Sequence, residues 1–308
     1  MRKVTDRSIT MFRDWHLSSA VRSRPYVYKF SEADFSQSEP GLWFPAALSP
    51  VLAHDSVKAL SKQELRTLHV YHLVYFMDYT TELEIAHVNE AVQCIVIGGL
   101  KKYFEDGERC IALKLYADEG YHALFSRDIA DQVAKHFDLV RAKSTRIVGL
   151  DRILEGSPLG FRCLTRFCIA FVSETLIARE LLKLSRGSLV GPVAQMFIDH
   201  LHDEGRHAVF FSECFVQLWR KISMCEKNYV VQVLLEVLAV FCRPDIPFLQ
   251  MLFKGRPVIG NEVVAYLESN WSARMLEVSG PTLRAIARTD LLDDEGYLLQ
   301  FKTAGLVA

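Results

Sequence analysis

Residues Asp118-Glu119-Gly120-Tyr121-His122-Ala123 return 85 positions later as Asp203-Glu204-Gly205-Arg206-His207-Ala208, with five of the six positions identical. Side chains three apart share a helix face, so Glu119 projects with His122 and Glu204 with His207. Each copy sits inside a helical apolar stretch, where Gly costs about 1 kcal/mol against Ala. That cost, repeated at one place in the motif, suggests a small residue packed beside something bulky. Outward from the motifs the pattern stays helical. Ser61-Lys62-Gln63-Glu64 is a capping box that opens a long stretch, with a break near Asp78, reaching Gly98-Gly99 or Asp106-Gly107. A second helix is predicted from Glu108 to His136 and a third from Ser157-Pro158 to near Gly187. A fourth runs from Gly191-Pro192 to about Ser223 and a fifth from Lys227 to Phe241. Pro244 and Pro247 break the pattern; shorter helices follow near 258–270 and 280–290, before a tail not read as helical. Period-two alternation is nearly absent, so the fold class is all-α. The expected organisation is one domain over 1–308: a four-helix core at about 61–222, an irregular arm over 1–55 rich in aromatics and Pro25, Pro40, Pro45 and Pro50, and C-terminal helices over 225–295.

The chain has 308 residues, 50% hydrophobic and 24% charged, enough for a large core. Its 36 Lys and Arg nearly cancel 37 Asp and Glu, for a net charge of −1. No basic footprint for nucleic acid or a membrane surface results, which leaves small molecules or proteins as partners. Met1 to Trp15 has no apolar run of signal-peptide length. The most apolar run, Tyr229 to Cys242, is short of a membrane span, contains Gln232 and Glu236, and reads as a core helix. The seven cysteines (Cys94, Cys110, Cys163, Cys168, Cys214, Cys225, Cys242) are dispersed and form no CxxC pair. They read as small buried side chains in a reducing cytoplasm.

Ferritin-like di-iron proteins assemble their site from one Glu on each of two helices plus a Glu-x-x-His on each of two others. The chain matches that template, with a lone Glu needed ahead of each motif. Glu174 precedes Glu204 by 30 residues and lies among Phe167, Ala170, Phe171, Ile177, Ala178 and Leu181. A carboxylate in such a stripe is tolerated only with a compensating cation, or by losing its charge. For the first lone Glu, Glu84 shares a face with Met77, Thr81, Val88, Ala91 and Ile95; Glu82 points away from it, and Glu90 stays open as an alternative. His200, four before Glu204 and seven before His207, falls on their stripe and is a further candidate ligand. His202 lies off that stripe and reads as solvated, while His87 reads as lying behind the ligands or facing substrate; His69 and His72 carry no functional expectation. Asp118 and Asp203 precede the motif glutamates and are natural acceptors for the outer N–H of a ligand histidine on the opposite helix. Carboxylates and imidazoles without thiolate suit two iron ions, with manganese as the alternative, better than structural zinc.

Glu84, Asp118-Glu119-x-x-His122, Glu174, His200 and Asp203-Glu204-x-x-His207 resemble the p-aminobenzoate N-oxygenase family of ferritin-like di-iron enzymes, over about residues 60 to 215. The extra histidine four before the second motif's Glu is the most telling feature. The resemblance implies that Glu119 and Glu204 bridge two irons, with Glu84 and His122 on one and Glu174, His200 and His207 on the other. It implies O2-dependent oxidation of an amine nitrogen to hydroxylamine, nitroso or nitro, with electrons from an external donor, since no flavin or nicotinamide fingerprint is present. A homodimer is expected.

The leading reading is therefore an N-oxygenase acting on a small biosynthetic amine. The same centre could instead oxidise carbon, by hydroxylation or desaturation. A radical-storing ribonucleotide reductase subunit is disfavoured, because Tyr116 and Tyr121 are poorly placed. A ferroxidase would leave some 100 residues unexplained and predicts a cage-sized assembly. A metal-free helical scaffold predicts no iron and unaltered folding after Glu204→Ala.

Overall fold

The computed structural model describes residues 5–24, 28–184 and 188–307, and among them there is no strand. The N-terminal segment, expected to be irregular, instead winds into short helices: α1 (Thr5–Met11), α2 (Trp15–Ser18), α3 (Ala20–Ser23), α4 (Glu32–Phe35) and α5 (Asp55–Lys58), with 3-10 turns at Pro40–Leu42 and Ala46–Leu48. Proline lacks the N–H that would extend a helix and restricts the residue before it, so elements restart at Pro40 and Pro45.

The capping box at Ser61 forms: Ser61 Oγ accepts from Glu64 N at 3.3 Å, and Glu64 Oε2 accepts from Ser61 N at 3.1 Å. It starts α6 (Lys62–Leu83), which passes Asp78 without a break. Asp78 is held by Arg141 instead, an ion pair across to the segment that follows the long helix over Asp106–His136. The interruption comes six residues later, as a π-helical turn over Glu84–Val88 that leads into α7 (Asn89–Val96). Such turns are rare and concentrate at functional sites. Then follow α8 (Asp106–His136), α9 (Thr145–Gly156), α10 (Arg162–Leu184) and α11 (Gly191–Lys221). Helix α9 had no counterpart in the sequence reading, and the expected end of the third helix near Gly187 lies outside the described residues. Helix α12 (Met224–Cys242) is likewise opened by a capping box, Ser223 with Glu226. Beyond Pro244 lie α13 (Ile246–Leu252), α14 (Pro257–Ser269), α15 (Trp271–Ile286), which absorbs Pro281, and α16 (Glu295–Thr303). The tail is therefore helical, contrary to expectation: Asp294 caps it by accepting from Tyr297 N, while Tyr297 and Phe301 are buried.

The all-α bundle is built on α6 packed with α8, α7 with α8 and α10, and α10 with α11; α12 and α15 cover α10, and α1 and α3 lie across α8 and α11. No helix among the described residues is long and apolar enough to cross a membrane.

The core is divided. One apolar cluster holds Leu115, Phe167, Phe171, Phe210, Phe211 and Phe215; the other holds Leu73, Met77, Phe125, Ile129, Met196 and Phe197. Within the first, Phe171 and Phe215 stack at 4.4 Å. Burying a ring of that size contributes roughly 1.5–3 kcal/mol. On each of α8, α10 and α11 the handover from one cluster to the other falls at the motif residues, so a polar layer separates two greasy ones. The motif glycines do not touch that layer. A Cβ added at Gly120 or Gly205 would meet nothing within 4 Å, and both residues are exposed. The expected bulky neighbour is absent, and nothing in the structure explains the repeated glycine. Cys94, Cys168, Cys214 and Cys242 are buried, but Cys110 and Cys225 are exposed and Cys163 is intermediate, which corrects the uniform reading of the cysteines.

Candidate metal centre

Four helices deliver acids and imidazoles to the polar layer. Glu84 comes from the π-turn, Glu119 and His122 from α8, Glu174 from α10, and His200, Glu204 and His207 from α11. None is more than 4% exposed. Two overlapping groups have donor atoms within 4.8 Å of one another: Glu84, His122, His200 and Glu204, and Glu119, His122, Glu204 and His207. Glu174 stands just outside them, its Oε2 3.7 Å from His207 Nδ1. Glu90, the alternative first ligand, is not brought in; it pairs with Arg166 at 3.2 Å on the rim. His202 is exposed. His87 is 1% exposed but turns away, its Nε2 3.4 Å from Asp151 Oδ1.

The position of His200 differs from that implied by the family resemblance. Its Nε2 lies 3.2 Å from Glu84 and 3.1 Å from Glu204, and its ring centroid is 4.3 Å from that of His122. It belongs with Glu84 and His122, not with Glu174 and His207. The reason is helical: His200 is one turn before Glu204 and His207 one turn after it, so the two imidazoles flank that carboxylate from opposite ends.

The two motifs interlock through their aspartates. His122 Nε2 lies 3.1 Å from Asp203 Oδ2, and His207 Nε2 lies 3.2 Å from Asp118 Oδ2. Each ring thereby turns Nδ1 inward, with His122 Nδ1 3.3 Å from Glu119 and 3.2 Å from Glu204, and His207 Nδ1 2.8 Å from Glu119. The N-terminal segment closes the outside. Ala20 N donates to Asp203 at 3.0 Å, Trp15 Nε1 donates to Asp118 at 2.8 Å, Arg206 is paired with Asp203, and Phe12 stacks over His207. Sequence reasoning missed the N-terminal partners: Trp15 and Ala20 lie 103 and 183 positions from the aspartates they meet, and no local periodicity announces such contacts.

So many acids in one dry space distort each other's proton affinity. Burial pushes Glu84 up to about 7 and, with the nearby Glu204 and Glu119 charges, raises Glu174 well above the carboxylate range. Burial works in the same direction on Glu204 and Glu119, but the surrounding imidazoles overcome it and hold both low. Burial disfavours charged His122 and His207, yet the acids around them raise both well above the ordinary imidazole value. His200 is raised in the same way by Glu204 and Glu84. With neutral imidazoles, six carboxylates and Arg206 leave five negative charges, a balance that two divalent cations bring within one charge of neutrality. Buried atoms without a hydrogen-bond partner concentrate here: Glu84 Oε2, Glu174 Oε2 and Glu204 Oε2, together with Glu119 Oε1 and His207 Nδ1, which lie 2.8 Å apart as an ion pair without hydrogen-bond alignment. Unpaired buried acceptors cost about 1–3 kcal/mol each, and inward-facing lone pairs are what metal ions take up. The residues fit such ions.

Beside the layer, a small cavity is lined by Tyr79, Leu83, Arg146, Ser173, Leu176 and Ile177. Leu83 and Ser173 are the chain neighbours of Glu84 and Glu174. Arg146 also lines a larger cavity of ≈ 120 Å³ between the N-terminal segment, α6 and α13.

A helical bundle enclosing a buried layer of glutamates and histidines defines the class: an all-α protein with groups that could hold metal ions. The family model for p-aminobenzoate N-oxygenase AurF matches residues 18–289, and the chain belongs to that family of di-iron oxygenases. No curated protein matches the chain.

Proposed function

We propose that this protein is a non-haem di-iron oxygenase that uses O2 to oxidise the amine nitrogen of a small biosynthetic precursor. The observation that carries the reading is the ring of unpartnered carboxylate and imidazole atoms in a layer closed on both sides by apolar side chains. Glu84, His122 and His200 would hold one iron, and Glu174 and His207 the other, with Glu119 and Glu204 between them. Two irons held there supply the electrons and the Lewis acidity needed to activate O2. The chain's own residues do the rest. Asp118 and Asp203 accept from the outer nitrogens of His207 and His122 and so fix both rings with Nδ1 inward. Phe12, Phe125, Phe197 and Phe211 keep bulk water from the layer. A small amine would approach from the side of Glu84 and Glu174, whose chain neighbours Leu83 and Ser173 line the small cavity. Electrons come from an external donor.

Iron reconstitution under anaerobic conditions, followed by O2, tests the reading. The expected result is about two irons per chain in the wild type and an optical change on oxygenation. Glu204→Ala should lose most of the iron with its helical circular dichroism retained. Amine substrates then separate N-oxidation from attack on carbon. A wild type that takes up no iron, or a Glu204→Ala variant that loads normally, would sink it.

A further inference from the structure

The seven candidate ligands are buried, so an electron delivered by a carrier at the surface crosses protein to reach them. The two motifs offer routes that match except at their outer ends. From His122 the route runs to Asp203 Oδ2, which receives Ala20 N, while Arg206 holds the other oxygen. A backbone amide and a guanidinium are both redox-inert. From His207 it runs to Asp118 Oδ2, and there the outer donor is the indole of Trp15, at 2.8 Å from the same oxygen that His207 Nε2 meets at 3.2 Å. Trp15 is 7% exposed, at the rim, between exposed Asp14 and His16. The other indoles described with a partner point elsewhere: Trp43 donates to Gln37 O and Trp219 to Asp290.

We propose that Trp15 is the redox-active side chain through which the centre draws an electron from the surface, along Trp15–Asp118–His207. This rests on the di-iron reading above. In the step, the indole loses one electron and the O2-oxidised metal centre gains it. No bond forms or breaks. The proton stays on Nε1, where the Asp118 carboxylate offsets the new positive charge. An external one-electron carrier, of the iron–sulfur or flavin class, then returns the indole to its starting state. Trp15 thus positions an electron and touches no substrate.

The test loads the full chain with Fe(II) without O2, counts the iron, and freezes samples after O2 is added without substrate or reductant. Protein grown with ring-deuterated tryptophan should show a radical signal narrowed by the label. The signal should be lost in Trp15→Phe and kept in Trp219→Phe, with equal iron in all three. Independently of any variant, peptide mass mapping of the wild type should place gained oxygen atoms at Trp15 ahead of Trp43, Trp219 and Trp271. A purely structural hydrogen bond would give neither result. Two irons that oxidise with no indole signal, a signal that survives Trp15→Phe, or damage spread equally over the tryptophans overturns this inference and leaves the centre standing. Absence of iron with no change on O2 overturns both.

Discussion

Asp203 receives His122 Nε2, Ala20 N and the Arg206 guanidinium, and is fully buried. Asp203→Asn keeps the shape but presents an amide that can donate where the carboxylate only accepts, so His122 is no longer held in one tautomer. The expected cost is about 10–100-fold in iron affinity, read by competition with a chelator, while circular dichroism stays unchanged; unaltered affinity would remove Asp203 from the support of the ring. A second prediction follows from the protons on the imidazoles. In the metal-free protein the acids around His122 and His207 raise their proton affinity above that of a free imidazole, so metal competes with protons for both rings. Affinity should therefore rise with pH, and iron addition in unbuffered solution should acidify it. A pH-independent affinity would contradict the arrangement.

At the scale of elements, α6 carries two consequences. Its early turns anchor the N-terminal segment: His72 Nε2 meets Ser49 Oγ at 3.1 Å, its Nδ1 donates to Leu68 O at 2.8 Å, and His69 binds Phe44 O. Burial depresses His72 from 6.5 to about 4. A histidine with a folded value below its unfolded one is stabilising when neutral, so the contribution is complete above pH 6.5 and disappears as pH falls toward 4. The window corresponds to roughly 3 kcal/mol. Urea unfolding across that range should show falling stability, with a shallower slope in His72→Gln; equal slopes would refute the assignment. The later turns of α6 show how far sequence reads. The Ser61 cap, the span of α8 and the i, i+3 pairing of Glu119 with His122 were legible, because each depends on neighbours within a turn. The π-turn at Glu84–Val88 was not, since its extra residue is stabilised by packing against α8 and α10. At that turn Glu84 enters the buried layer, while Glu90 stays with Arg166.

At the scale of the whole molecule, two apolar clusters hold the polar layer between them, and Arg146 lines both the outer and the inner cavity, its guanidinium 5.4 Å from the centroid of the Tyr79 ring. If substrate enters there, Arg146→Ala widens the passage and removes a polar contact. The expectation is a KM raised about tenfold, the equivalent of ~1.4 kcal/mol, with iron content unchanged. An unchanged KM would put the entrance elsewhere.

The amino-acid order by itself determined an all-helical chain and two Glu-x-x-His faces with a histidine one turn before the second, because helical periodicity is a property of adjacent turns. It did not determine that His200 joins Glu84 and His122, that each aspartate supports the other motif's histidine, or that Trp15 reaches Asp118. Those contacts join separate helices, and their register is set by how α8, α10, α11 and the N-terminal segment pack, which no single stretch of sequence encodes.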